Sequence, residues 1–131
     1  MTSDPERTEL SDLVRERRTE LGLSLRALAG RCIDPESAGE PLWKYAVLNR
    51  LERRLPVIPP RLPELRALAA GLDLPVEVLQ GAAGSQFMGI QPPWGSSREM
   101  RSLVTDYLAL SPESRDRLRS IVRLWAADRP A

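Results

Sequence analysis

Histidine is absent from the 131 residues, and cysteine occurs once, as Cys32. Without imidazole the chain lacks the commonest general base near neutral pH, and with one thiol it offers no zinc-binding set. A lone cysteine also excludes an internal disulfide, and it fits a small buried thiol in a cytoplasmic protein. Of 19 basic residues only Lys44 is a lysine, an arginine bias that we assign to a GC-rich source rather than to function. No apolar run approaches the roughly 18–20 residues that span a bilayer. Met1 to Asp12 is polar and acidic, unlike a secretory signal. Neither a nucleophile elbow nor a phosphate loop occurs. These absences speak against an enzyme, a metal site, a cofactor and a membrane protein.

Apolar residues make up 42% and charged residues 28%, the balance of a globular chain with room for one compact domain and an appendage. The 12 prolines punctuate it, clustering at Pro56–Pro63 and Pro92–Pro93. Net charge is only +1. Residues 43–54, however, hold Lys44, Arg50, Arg53 and Arg54 against Glu52 alone. A small basic patch on a neutral body suits site-directed DNA binding rather than a general affinity for polyanions.

Periodicity predicts an all-α chain. Leu10, Leu13, Val14 and Leu21 recur at helical spacing from about Thr8, and Gly22 is a natural stop. Ser24 caps a short second helix over 25–32. Ile33 to Pro41 is a loop rich in turn formers and acids. Pro41 suits the first turn of a third helix, read over 42–54. Val47, Leu48 and Leu51 form its apolar face, with Trp43 a turn earlier. Leu55 to Pro60 is extended. Pro63 opens a fourth helix that Gly71 closes, Pro75 opens a short fifth over 76–80, and 82–90 packs back on the core. The expected organisation is a five-helix domain over 8–90, a linker over 91–97 and a helical hairpin over 98–127, its helices opened by Ser97 and by Ser111-Pro112-Glu113.

Arg15 and Arg18, Gly22-Leu23-Ser24, Leu28-Ala29, Leu48-Asn49-Arg50-Leu51-Glu52 and the run Leu65 to Val76 stand in one order and spacing. In that order they resemble lambda-repressor-like helix-turn-helix domains of the xenobiotic-response-element type, over residues 10–81. The segment from Arg54 through Phe87 is similar to small actinobacterial regulators of this family. The sequence departs from the family's pattern with Leu25 in place of a backbone-contacting Gln, Arg54 in place of Gly, and about nine extra residues at Ile33–Pro41. That insert implies either a changed angle of the third helix or a loop that itself contacts DNA or a partner.

The resemblance implies a sequence-specific transcriptional regulator, a repressor, binding double-stranded DNA through residues 42–54 in the major groove. Lys44, Tyr45, Asn49 and Arg50 are the expected base readers, Tyr45 being equally suited to packing. Arg53 and Arg54 at the helix end, and Ser24 and Arg26 at the start of the second helix, suit phosphates. Arg15 reaches either phosphate or solvent. Arg18 and Glu52 are implied to be a structural ion pair. Such domains bind paired half-sites, so a homodimer is expected, with Leu103, Tyr107, Leu118, Ile121, Val122 and Trp125 at its interface unless these side chains pack in cis. A rival expectation, from the low net charge and the acidic loop, is a protein-interaction module such as an antitoxin or adaptor.

Overall fold

The structure, a computed structural model, describes residues 7–128, and all regular structure among them is α-helical. The helices are α1 (Glu9–Glu20), α2 (Leu25–Arg31), α3 (Tyr45–Glu52), α4 (Leu62–Leu72), α5 (Val76–Met88), α6 (Arg98–Ala109) and α7 (Pro112–Ala127).

In α1, Leu10, Leu13 and Val14 fall on one face and are buried, while Arg15 and Thr19 point outward. A helix's first turn leaves N–H groups without partners. Here Gln86 of α5 accepts from Ser11 N–H at 2.9 Å and returns a bond to Ser11 Oγ at 3.1 Å, both residues being buried. Gly22 ends the helix in the left-handed region (φ 67°), which lets Leu23 N–H reach back to the Arg18 carbonyl. Ser24 is extended, and its hydroxyl accepts from Ala27 N–H at 3.1 Å to open α2. Leu28 and Cys32 then meet α4, where Gly71 makes room for them.

Helix α3 starts later and ends earlier than the 42–54 read from the sequence. Leu42 N–H donates to the Cys32 carbonyl at 2.9 Å, and Trp43 Nε1–H to the Glu64 carbonyl at 2.8 Å. These bonds keep Pro41 to Lys44 out of the helix, and Lys44, extended at ψ 148°, becomes its N-cap. Arg53 and Arg54 form the turn that follows, with Arg54 left-handed at φ 60°. Val47 is 37% exposed, so the buried face of α3 is Leu48, Leu51 and Glu52.

Gly71 lies inside α4 rather than closing it; the left-handed residue that ends the helix is Asp73 (φ 53°). Arg17 of α1 caps that end, donating to the Leu72 and Asp73 carbonyls at 2.8 and 3.2 Å, where a cation also suits the helix dipole. The fifth helix continues well past Gln80, to Met88, so residues 82–88 pack on the core as helix. Within 91–97, Trp94 is buried, and its ring covers Gly81.

Helix α6 adheres to the rest through Arg98 and Arg101, both paired with Glu16 of α1, and through Val104 and Leu108, which pack against the core. Arg115 of α7 donates to the Tyr107 and Leu108 carbonyls at 3.2 and 2.7 Å, setting the elbow between the last two helices. No residue of α7 is buried. Among the described residues, no helix is long and apolar enough to cross a membrane, and no group of three or more His, Cys, Asp or Glu side chains is placed to hold a metal ion.

Candidate nucleic-acid interface

Helices α2 and α3 pack against each other and bury Leu28 and Leu48, which leaves each with an outward face. On α2 the exposed residues are Arg26, Ala27, Gly30 and Arg31; on α3 they are Tyr45, Ala46, Val47 and Arg50, continued by Arg53, with Asn49 half-buried. Ala27, Gly30 and Ala46 are small, and a Cβ added to Gly30 meets nothing within 4 Å. A bulky flat partner can therefore approach the backbone closely between the flanking cations. An α-helix with its side chains is about 10–12 Å across, comparable to the width of a major groove.

The two helices are tied across this face by a cation–π contact, the Arg26 guanidinium standing 4.4 Å from the centroid of the Tyr45 ring. Such a contact is worth about 0.5–1 kcal/mol at an exposed site. It places the Arg26 guanidinium over the ring. Tyr45 is 40% exposed, so it takes part in packing and surface at once.

The basic side chains are not equally free. Lys44 and Arg53 are exposed and make no ion pair among the described residues, and the same holds for Arg31. Arg50 is exposed, but Nε and Nη2 both donate to the Pro56 carbonyl, at 3.2 and 2.8 Å. A base edge must replace that carbonyl, at a cost of about 1 kcal/mol. Arg54 forks onto Asp12 Oδ1 of α1 at 3.1 and 2.9 Å, so it links the end of α3 to α1. Ser24 Oγ is occupied as an acceptor by its capping bond, which leaves the hydroxyl proton available to donate.

Below the face, Arg18 and Glu52 form a two-bond ion pair at 2.6 and 2.8 Å, and Arg18 also donates to the Leu23 carbonyl at 2.8 Å. Glu52 is 8% exposed. The hydrogen bond to Glu52 pushes the Arg18 pKa up further, so the guanidinium stays charged. The pair joins α1 to the underside of α3 and to the α1–α2 turn.

The connection between α2 and α3 is held by a second buried pair that sequence reasoning missed. Asp34, 1% exposed, accepts from Arg66 Nε and Nη2 of α4 at 2.9 Å each, from Glu36 N–H at 3.0 Å and from Ser37 Oγ at 3.0 Å. Glu36 pairs with the same guanidinium at 2.6 Å. Two of the loop's acids are thus turned onto α4. Arg31 was missed as well; its i, i+4 spacing from Ala27, which puts the two exposed residues on one helical face, was a signal available in the sequence.

Of the six expected interface residues in α6 and α7, Leu103, Ile121, Val122 and Trp125 are exposed, and Tyr107 and Leu118 are half-buried. Compared with protein-family models, curated proteins and solved structures, the chain matches none.

Proposed function

We propose that residues 8–90 are a lambda-repressor-like helix-turn-helix domain. In this reading the chain is a sequence-specific transcriptional regulator, a repressor that occupies a promoter with α3 in the major groove of double-stranded DNA. The observation that carries the reading is the outward face of α2 and α3, where five basic residues, Arg26, Arg31, Lys44, Arg50 and Arg53, surround small residues. Arg50 and Asn49 suit base edges, where a bidentate pairing discriminates by about 1–3 kcal/mol. Lys44, Arg53, Arg31 and the stacked Arg26 suit phosphates on either side.

The test is binding-site selection with the purified protein, followed by mobility shifts on the selected duplex. Arg50→Ala is expected to lose discrimination between selected and scrambled duplex while its helicity by circular dichroism is unchanged. Arg53→Ala is expected to weaken both duplexes alike. With four or five phosphate contacts, affinity should fall about 10²–10³-fold between 50 and 200 mM salt. Selection that returns no enriched sequence would sink the reading.

A second reading, a protein-interaction module, is favoured by the engagement of Arg50 with Pro56 and of Arg54 with Asp12, which removes two cations from the free surface. It predicts weak duplex binding whose salt dependence is shallow.

A further inference from the structure

Helices α6 and α7 meet at an elbow where Ser111 caps α7, Pro112 opens it, and Arg115 donates to the Tyr107 and Leu108 carbonyls of α6. Between the two helices lies an apolar groove of about 460 Å³. Leu103 and Tyr107 line it from α6, and Leu118 and Val122 from α7, each pair one turn apart at i, i+4. Val104 and Leu108, which pack against the core, complete its apolar lining. Leu103 is 53% and Val122 51% exposed, so the groove is open to a partner. Its two other lining residues are Arg119 and Arg123, also at i, i+4 and about 6 Å apart along α7. No acid among the described residues lines it. Asp116 Oδ1 stands 3.9 Å from Arg119 Nη1, beyond hydrogen-bond reach, and Arg123 makes no ion pair among the described residues. Asp106 of α6 lies with Arg17 and Glu20 in a separate crevice against α1.

We propose that this groove seats an acidic amphipathic helix of another protein. Its apolar residues, at i, i+3, i+4 and i+7, enter the cleft, and Asp or Glu side chains on its flank meet Arg119 and Arg123. A cleft between two helices receives a third helix by its apolar stripe, the helix-in-groove mode of recognition. Carboxylates one turn apart on that helix have the same spacing of about 6 Å as the two arginines, so a helix lying along α7 pairs with both. The charge of the lining selects this occupant over two others. A second copy of α7 carries Arg117, Arg119 and Arg123 and no acid from Arg117 to Ala127, so its approach sets like charges against the arginines of the groove. A bilayer with anionic headgroups supplies the charge but presents a plane, whereas the apolar residues here line a cleft. The inference goes beyond the DNA-binding reading and stands without it, since it uses none of the residues on α2 or α3.

The test is fluorescence anisotropy of two labelled synthetic helices titrated with the full chain. Both peptides carry leucine at i, i+3, i+4 and i+7; one has glutamate on its flanks and the other lysine. The glutamate peptide is expected to bind about 10-fold more tightly than the lysine peptide, and the preference should shrink as salt rises. Arg119→Glu with Arg123→Glu should reverse the preference and leave the thermal melt unchanged, because both positions are exposed. Leu103→Ala, which removes lining but no charge, should weaken both peptides alike. Equal affinity for the two peptides overturns the proposal, as does no binding of either at about 100 µM. It is also overturned by glutamate-peptide binding that survives the double arginine variant, a result that would place the peptide on the basic face of α2 and α3. A dimer in sedimentation equilibrium that Leu103→Ala weakens would assign the groove to a second copy. Co-sedimentation with phosphatidylglycerol vesicles that the double arginine variant abolishes would assign it to a membrane. Either result overturns the proposal.

Discussion

Asp34 and Arg66 stand 32 positions apart and meet prong to prong, Nε to Oδ1 and Nη2 to Oδ2, each at 2.9 Å. The pair clamps the start of the α2–α3 connection onto α4. Trp43 clamps its end onto the same helix through the Glu64 carbonyl. These two fixings tie both ends of the connection to α4 and place the first turn of α3 relative to it.

The clamp makes stability depend on pH in a definite direction. The Arg66 hydrogen bonds, and then the Glu36 N–H, hold the Asp34 carboxyl well below the usual carboxylate range. A carboxyl depressed by folding stabilises the fold above its unfolded value of about 3.9, and the contribution fades as pH falls below that value toward the folded one. Asp34→Asn is therefore expected to unfold at lower urea than wild type near pH 7. The two proteins should converge as pH is lowered below about 4. A gap in urea midpoint that stays constant down to about pH 3 would show that the charge of Asp34 contributes nothing.

Arg18 and Glu52 bear on the underside of α3. Glu52→Ala leaves the guanidinium facing a pocket built for a carboxylate, and breaking a buried pair on one side costs about 3 kcal/mol. Arg18→Met with Glu52→Leu should recover much of that loss, since neither variant side chain strands a charge. A double-mutant cycle by chemical unfolding checks this, and additive effects of the two single changes would contradict it.

Gly71 is a packing glycine. A Cβ there would lie 2.9 Å from Cys32 Sγ, 3.2 Å from Leu28 Cδ1 and 3.4 Å from the Arg31 carbonyl carbon. Gly71→Ala is expected to destabilise by about 1–3 kcal/mol through overpacking, despite the better helix propensity of Ala. Removing the sulfur in Cys32→Ala/Gly71→Ala should restore part of the loss relative to Cys32→Ala alone. If Gly71→Ala is as stable as wild type, the α2–α4 contact is looser than its geometry implies.

Burial pushes the Cys32 thiol up to about 12. At pH 8 the folded chain should resist thiol reagents, because the thiolate is the reactive form. Rapid labelling before denaturant is added would contradict the placement of Cys32 between α2 and α4.

Gly81 and Trp94 form a similar fit at the approach to α6, where a Cβ on Gly81 would collide with the indole ring. Gly81→Ala is expected to expel Trp94, red-shifting tryptophan emission and raising its quenching by acrylamide. Unchanged emission would mean that the ring accommodates the methyl group in place.

How much of this was open to reading depends on the distance over which each feature is decided. The buried face of α1, the caps at Ser24, Ser97 and Ser111, and the turn at Gly22 depend on neighbours within four or five positions, and the sequence shows them directly. Gly71 and Asp73 illustrate the first failure: a glycine suits a helix end, but whether it ends one or makes room for Cys32 is set by what packs opposite. Val76–Met88 is the second, because small residues over 81–85 carry no strong periodicity and the helix continues there by burial. For the candidate interface, residue types on α2 and α3 were legible, and Arg18 with Glu52 was legible only through a family resemblance. The engagement of Arg50 by Pro56 and of Arg54 by Asp12 was not, since exposed arginines choose partners after the chain has folded.

The sequence by itself determined that the chain is helical, where most helices begin, and that basic residues gather around 43–54. Periodicity, capping and turn chemistry act over a single helical turn, so they survive without knowledge of the fold. The tertiary structure alone decided that α3 begins at Tyr45, that the acidic α2–α3 connection is clamped onto α4, which arginines are engaged by protein partners, and how Arg115 sets the elbow between α6 and α7. These depend on hydrogen bonds and ion pairs between groups 6 to 85 positions apart, from Arg50 with the Pro56 carbonyl, through Trp43 with Glu64, to Arg101 with Glu16. No local rule reaches across such distances; only the packed core brings those groups together.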